Sequence, residues 1–348
     1  VCRLPSGLSG LAEAEIAPLD LSVSLATNFI INGREVLIPM ATEEASVVAG
    51  ASKAALMFRD TGGVSAEGSD GLIMGHILVS SEEASIERIE GVIQRDSSVL
   101  LSWLNSFHPS LTEAGGGARK LRVRNLEEGG DEPGLMSIEV YMATGDAMGA
   151  HAVNRMTERL ARRLEEEHGL RAISSIVSNR MTGMARASAR IHVDSLGRPE
   201  KDGLALARDI ESLCGWARSD PNRRSTHIKG FMNGLEASAL AFRQDTRALS
   251  SAIWTAFSEN ARLMPAWSIE GDHLCGQVEA PVPCGTTGRV FQDWPAGATY
   301  LRIAGVNNKR TMEETLLAAG LIQNFGALYA LAGEGIVGAH GRLHEQRR

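Results

Sequence analysis

Four cysteines, Cys2, Cys214, Cys275 and Cys284, are too few and too irregularly spaced for a disulfide framework or a zinc site. They read as buried free thiols. Aromatic residues make up 5% of the 348 positions and there is no Lys/Arg run, so with a net charge of -7 the chain has no nucleic-acid surface. No apolar stretch approaches the roughly 18 residues that cross a bilayer, and the N-terminus lacks the basic-then-apolar layout of a signal peptide. A cytoplasmic protein without a membrane segment is expected. The chain also has no Walker-type phosphate loop, no Gly-x-Ser-x-Gly elbow and no Gly-x-Gly-x-x-Gly after a strand, so a dinucleotide would not sit in a Rossmann domain. What remains is a chain 43% hydrophobic and 22% charged, long enough for about two domains, with a small molecule as the expected partner.

The most informative stretch is Gly145 to Ala150, GDAMGA. Before it, Met136, Ile138, Val140 and Met142 alternate with Ser137, Glu139 and Tyr141, the period of a half-buried strand. After it, Val153, Met156, Leu160 and Leu164 recur at helical spacing between arginines and glutamates. Two glycines and a cap-type Asp146 at such a junction let a ligand approach free N–H groups at a helix N-terminus, although an ordinary capped turn has the same pattern. The neighbouring elements read as a strand Leu72 to Val79, a helix Ser81 to Leu104, a strand Lys120 to Leu126, the Met136 to Met142 strand, the helix after Gly149 and a strand Ala172 to Ser178. That β-α-β-β-α-β order is ferredoxin-like. The flanks read as helix-rich, with helices at Glu43 to Phe58, Glu236 to Glu259 and Thr311 to Leu331, the last opening on a Thr311/Glu314 capping-box spacing. The expected fold is therefore α+β, a small domain inserted in a larger helix-rich one, with a ligand cleft between them.

Arg223, Arg224, Ser225, Thr226, His227, Lys229 and Asn233 form a dense polar group broken by Gly230 and Gly234. Glycines there would expose backbone and free Lys229 to enter a cleft, where it could stabilise an oxyanion beside a carboxylate such as Asp245. A solvated Lys and Asp flanking a helix fit the same residues. Glu43 and Glu44 precede a packed helix and also suit its dipole. His340 and His344 have the spacing of a zinc pair, but no Glu follows His340 and Gly341 interrupts the segment, so no metal is expected.

Several motifs in order resemble the soluble, prokaryotic-type class II 3-hydroxy-3-methylglutaryl-coenzyme A (HMG-CoA) reductases. They are NFIINGREVLIPMATEEASVVAGAS at Asn28 to Ser52, HPS at His108 to Ser110, GDAMGA, Ser178-Asn179, DPNRRSTHIKGFMNG at Asp220 to Gly234, and AGLIQNFGALYALAGEGI at Ala319 to Ile336. The resemblance implies a large substrate domain over residues 1–71 and 179–332, interrupted at 72–178 by a ferredoxin-like NAD(P)-binding domain, with 333–348 opening a C-terminal flap. It also implies a homodimer with active sites at the subunit interface, acting on HMG-CoA. Two NAD(P)H would reduce the thioester to mevalonate and free coenzyme A, for isoprenoid synthesis.

By that resemblance Glu44, Lys229, Asp245 and His340 are catalytic. Lys229 would stabilise the hemithioacetal oxyanion, and Asp245 would hold Lys229 charged and oriented. Glu44, buried enough to raise its pKa, would supply a proton, and His340 would protonate the leaving thiolate. Ser46, Arg223 and Asn233 would bind substrate, while Asp146, Met148, Gly149, Ala150, Asn179 and His108 would contact the dinucleotide. His108 stands where an acidic residue would favour NADH, which gives a slight lean to NADPH. Ile228 and His151 each replace a usual Asn, Glu13 to Ile16 departs from the usual ENxIG, and the flap stops at Arg348. The same motifs fit the mevalonate-degrading direction with NAD, or a flap-less impaired homologue that only binds coenzyme A esters or dinucleotide.

Overall fold

A computed structural model describes residues 21–80, 85–113, 115–126, 134–199, 201–288, 296–333 and 335. Cys2, Glu13 to Ile16, the hairpin tip with Gly129, Gly130 and Pro133, and the segment bearing His340 and His344 lie outside the described residues.

The alternating and helical patterns of the middle of the chain become a four-stranded sheet with order β5-β6-β4-β7. Its strands are β4 (Ile73–Ser80), β5 (Gly117–Asn125), β6 (Leu135–Ala143) and β7 (Ala172–Met181). Every neighbouring pair is antiparallel. The apolar faces of α2 (Ile86–Ser106) and α4 (Ala150–His168) close one side, burying Ile89, Ile93, Leu100, Val153, Met156 and Leu160 against Ile77, Ile138 and Val140. This is the ferredoxin-like arrangement that the element order predicts. Strand β6 is more buried than its alternation implies, since Ser137 and Glu139 are covered too. Glu139 accepts from Arg124 Nε at 2.8 Å and from the Tyr141 hydroxyl at 2.7 Å, which satisfies the carboxylate on the other face.

The flanks carry a second sheet that the helix-rich reading lacks. Its order is β2-β1-β3-β8-β10-β9, built from β1 (Val23–Ile31), β2 (Arg34–Ala41), β3 (Val64–Glu67), β8 (Ala185–His192), β9 (Ala266–Glu270) and β10 (His273–Ala280). Only β1 and β3 pair in parallel. One face carries the helices α1 (Ala45–Met57), α5 (Gly203–Ser219), α6 (Pro221–Ala241), α7 (Thr246–Glu259), α8 (Gly297–Ile303) and α9 (Lys309–Ala332). The large buried aromatics, Phe29, Phe58, Phe231, Phe257, Trp267 and Phe325 among them, gather in this core. The Phe58 and Trp267 rings lie 4.7 and 5.0 Å from that of Phe325, and such pairs contribute about 0.5–1.5 kcal/mol each beyond the area they bury.

Two helix boundaries differ from the sequence reading. The single helix expected over Glu236 to Glu259 is two helices, α6 and α7, broken where Arg243 takes a left-handed φ of 53°. Helix α9 is capped by Asn308 with Thr311 at its third position, in place of the Thr311/Glu314 box, and Glu314 turns inward near Asn32. By length and composition α9 is apolar enough to cross a bilayer, contrary to the expectation that no stretch is. Its most apolar window is 72% buried, and the helix serves as the central strut of the large core.

The chain passes between the two sheets twice, after β3 and before β8. The crossings touch, because a Cβ on Gly183 would lie 2.4 Å from the Gly71 Cα. Leu72 N–H donates to Thr182 Oγ1 at 2.9 Å, and Ser69 N–H donates to the Glu313 carboxylate of α9.

Candidate active site

The register of the small sheet collects the predicted dinucleotide residues at one end. Ile73 pairs with both Met142 and Met181, and Gly117 with Ala143, so the ends of β6 and β7 and the start of β5 lie together. Between Ser178 and Met181 the register shifts, and Asn179 sits exposed in the resulting bulge. His108 opens the short helix α3 (Pro109–Glu113), and the preceding Asn105 side chain holds Ala118 at the head of β5, accepting from its N–H at 2.6 Å and donating to its carbonyl at 3.1 Å. His108, Asp146, Met148, Gly149, Ala150 and Asn179 therefore occupy one edge.

The GDAMGA turn is built differently from the capped turn expected. Gly149, with φ 88°, is the N-cap of α4 and provides no side-chain hydrogen bond to its first turn. A Cβ there would lie 2.2 Å from Thr144 Cγ2, so only glycine fits and the backbone stays open to a ligand. Asp146 does not cap α4. Its Oδ1 accepts from Lys309 N–H of α9 at 2.9 Å, and its carbonyl accepts from Thr286 N–H at 2.8 Å, which ties the turn to the large domain. An open helix N-terminus of this kind suits a phosphate group.

Basic residues of α4 lie close to His108. Burial, then Arg155, Arg159 and His151, hold its pKa below the usual histidine value. His151, Arg155 and Arg159 recur every fourth residue along α4, and Arg159 stacks 4.0 Å over Phe107. Among the described residues no carboxylate pairs with His108, His151, Arg155 or Arg159.

The DPNRRSTHIKGFMNG motif lies in one long helix, α6, which Gly230 and Gly234 do not interrupt. Asp220 caps it, accepting from Asn222 N–H at 2.9 Å, and Pro221 stands in its first turn. Gly234 serves packing, since a Cβ there would lie 2.5 Å from the Ala319 carbonyl of α9. Helical geometry divides the motif between two faces. Arg223 and His227 point inward, whereas Lys229 is exposed and Asn233 half-buried one turn on.

Arg223 is 9% exposed, its guanidinium 5.7 Å from the Trp216 ring centre, and no described carboxylate pairs with it. Burial pulls its pKa below the usual arginine value. Asp245 caps α7, accepting from Ala248 N–H at 3.1 Å. Among the described residues no hydrogen bond or ion pair joins Lys229 to Asp245. Glu44 caps α1 through Ser46 N–H at 3.0 Å, at the junction of α1 and β2, which both pack on α6. It is exposed, so the burial expected of it is not supplied by the described residues of the chain.

Sequence reasoning missed Gln244 and Gly285. The Gln244 side chain donates to the Gly285 carbonyl at 3.0 Å and accepts from its N–H at 2.9 Å, next door to Asp245. A cap-type Asp after a helix is the signal that could have marked this turn. Of the cysteines, Cys214 and Cys284 are buried free thiols and Cys275 is half-buried. No group of three or more His, Cys, Asp or Glu among the described residues is arranged to hold a metal. A concavity of about 590 Å³ lies elsewhere, on the polar face of the large sheet by Gly63, Ser188, Arg190 and Gln277. None of the predicted site residues lines it, and the convergence of glycine turn, cations and helix caps is the better guide to the chemistry.

The family model described as hydroxymethylglutaryl-coenzyme A reductase matches residues 3–345. The chain is 34% identical over 343 residues to the 3-hydroxy-3-methylglutaryl-coenzyme A reductase of Archaeoglobus fulgidus, covering 96% of this chain and 76% of that one. It is 30% identical to a probable reductase of the same name from Borreliella burgdorferi, covering 97% and 77%. Among solved structures, it is similar to the class II enzyme of Streptococcus pneumoniae, at 31% identity with a TM-score of 0.88, covering 96% of this chain and 80% of that one. A structure of the class II S. pneumoniae enzyme bound to NADPH in open conformations matches with a TM-score of 0.86, covering 92% and 87%. Because the likeness runs through both sheets and the crossings between them, this chain belongs to the hydroxymethylglutaryl-coenzyme A reductase family.

Proposed function

We propose that the chain reduces the thioester of HMG-CoA to mevalonate and free coenzyme A, using two NAD(P)H, within the cytoplasmic mevalonate route to isoprenoids. The observation that carries the reading is the bonding of the open Gly145 to Gly149 turn, through Asp146, to Thr286 and Lys309 at the border of the two cores, which supports a dinucleotide site there. The turn fits a nicotinamide dinucleotide, with Met148, Gly149, Ala150, Asn179 and His108 around it and Asp146 locking it in place. That group supplies hydride when bound; the chain supplies position and charge.

Residues 72–178 form the dinucleotide-binding unit in this reading, 1–71 and 179–332 the substrate unit, and 333–348 the start of a flap bearing His340. Arg223, a buried cation with no described anion, receives the hydroxymethylglutaryl carboxylate together with Ser46 and Asn233. Lys229 stabilises the oxyanion, Asp245 tunes it, Glu44 delivers a proton and His340 protonates the coenzyme A thiolate. The exposure of Glu44 and Lys229 supports a homodimer whose second subunit closes the site. NADPH is slightly preferred over NADH, because Arg155 and Arg159 beside His108 suit a 2′-phosphate.

The test is HMG-CoA-dependent NADPH oxidation, followed by absorbance, for the unsubstituted protein and for Lys229→Ala. Loss of an oxyanion donor should lower kcat by about 10²–10³-fold. The fold should survive, since the side chain is exposed. Near-normal turnover by Lys229→Ala would refute its role, and binding without any oxidation by the unsubstituted protein would refute the activity.

A further inference from the structure

The two halves of the site meet through one side chain. Gln244 lies in the break between α6 and α7, immediately before Asp245, with its own N–H donating to the Ala239 carbonyl at 2.8 Å. Its Nε2 donates to the Phe242 and Gly285 carbonyls, both at 3.0 Å, while its Oε1 accepts from Gly285 N–H at 2.9 Å. Both amide donors and the acceptor are used, and the Gly285 pair is reciprocal, like one rung of a sheet ladder. On its other side Gly285 packs directly against the dinucleotide turn. A Cβ there would lie 2.4 Å from Met148 N and 3.0 Å from the Asp146 carbonyl, too close for any side chain. The next residue, Thr286, donates its N–H to that same Asp146 carbonyl at 2.8 Å. Asp245 and Met148 are thus separated by two residues of continuous, directional contact.

We propose that Gln244 is a positioning residue that, through Gly285, fixes the register between the dinucleotide turn and the Asp245 carboxylate. The proposal rests on the roles given above to Asp245 and Met148. Hydride transfer needs the cofactor and the thioester carbonyl held in the reacting geometry, while Asp245 must stay in place to orient the Lys229 ammonium at that carbonyl oxygen. A misplacement of about 1 Å between such groups costs on the order of 10²-fold in rate. Gln244 and Gly285 place both groups from one point, so that the small and large domains cannot shift at the site without breaking a reciprocal hydrogen-bonded pair.

The experiment compares Gln244→Met, which keeps the length and removes all three side-chain bonds, with Gly285→Ala, which disturbs the same contact from the other side, and with the double variant. Steady-state kinetics with HMG-CoA and NADPH, the pH profile of kcat, NADPH binding and thermal unfolding are measured on the full chain. Each single variant should lose about 10- to 100-fold in kcat. For Gln244→Met the NADPH dissociation constant should move less than about threefold and the kcat pH profile should shift, whereas Gly285→Ala, which presses on Met148 N, is read by kcat and pH profile alone. The double variant should be little worse than the poorer single one, because both act on one contact.

Singles within about twofold of normal kcat would overturn the proposal, as would losses that multiply fully in the double variant. In Gln244→Met, a fall in kcat matched by an equal fall in NADPH affinity, with the pH profile unmoved, would also overturn it and mark a merely structural staple. If one variant does not fold, the other alone decides on the kcat and pH readouts. Since every effect is read relative to the unsubstituted protein, full activity in Gln244→Met removes the positioning role and leaves the functional reading standing.

Discussion

His227 shows how one residue of a polar motif can be buried in the core while Lys229, two positions on, faces solvent. Its Nε2 lies 2.7 Å from the Pro265 carbonyl and its Nδ1 has no partner among the described residues. Burial brings its pKa down to about 4. The unfolded chain, with a histidine near its usual value, binds more protons between roughly pH 6.5 and 4, so stability falls as the pH drops through that window. His227→Phe should therefore flatten acid destabilisation in urea melts at pH 7.5 and 5. It should also lose about 1–3 kcal/mol at pH 7.5, because the Pro265 carbonyl is left unpaired. An unchanged pH slope would disprove the assignment.

From the sequence, His227 and Lys229 look equivalent members of one cluster. What separates them is the helix register of α6, and the Asp220-Pro221 start that announces this helix is legible in the residues themselves. The exposure of Glu44 and the Gln244–Gly285 pair were not legible. They depend on tertiary contacts that no local pattern encodes.

At the scale of elements, α4 carries two messages on two faces. Its apolar stripe packs the small sheet and was readable from spacing alone. Its basic stripe gains His108, held just before α3, as a neighbour, which spacing along α4 alone does not reveal. Arg155 is exposed and has no described ion pair, so Arg155→Ala should leave the fold intact. It should lower kcat/KM for NADPH by about tenfold, one charge-assisted contact, with little change for NADH. Equal losses with both cofactors, or none with either, would remove Arg155 from phosphate recognition.

The elements of the large sheet were hidden for a different reason. The inward residues of β8 are Ala185, Ala187, Ala189 and Ile191, alternating correctly but mostly too small and too helix-prone to signal a strand. The β1–β2 hairpin did carry its signal, an Asn32-Gly33 turn with φ of 50° and 76°, inside a stretch otherwise valued for its motif.

At the scale of the whole molecule, α9 holds the crossing segments through Glu313, which is fully buried and bonded to Ser69 N–H and Oγ. Burial raises its pKa to about 7, against the opposing pull of Ser69, Lys309 and Arg310. The folded protein then holds this proton more tightly than the unfolded chain, so stability falls as the pH climbs from roughly 4.5 to 7 and is level above that. The cost of the ionised form is on the order of 3 kcal/mol. Glu313→Gln keeps an acceptor for Ser69 and should melt higher than the unsubstituted protein at pH 8, with the difference shrinking toward pH 5. Parallel melting curves across that range would refute the titration.

Strands β3 and β8 are antiparallel partners, with Glu67 opposite Arg186, and the chain between them is the entire small domain. Topologically that domain is the loop of a single hairpin, entered and left at the touching glycines. A module held by such a narrow neck can be gained, exchanged or lost without re-threading any strand of its host. In the proposed reading dinucleotide and substrate chemistry thus meet across one neck, and the contacts around Asp146 and Gly285 stitch the two parts together beside it.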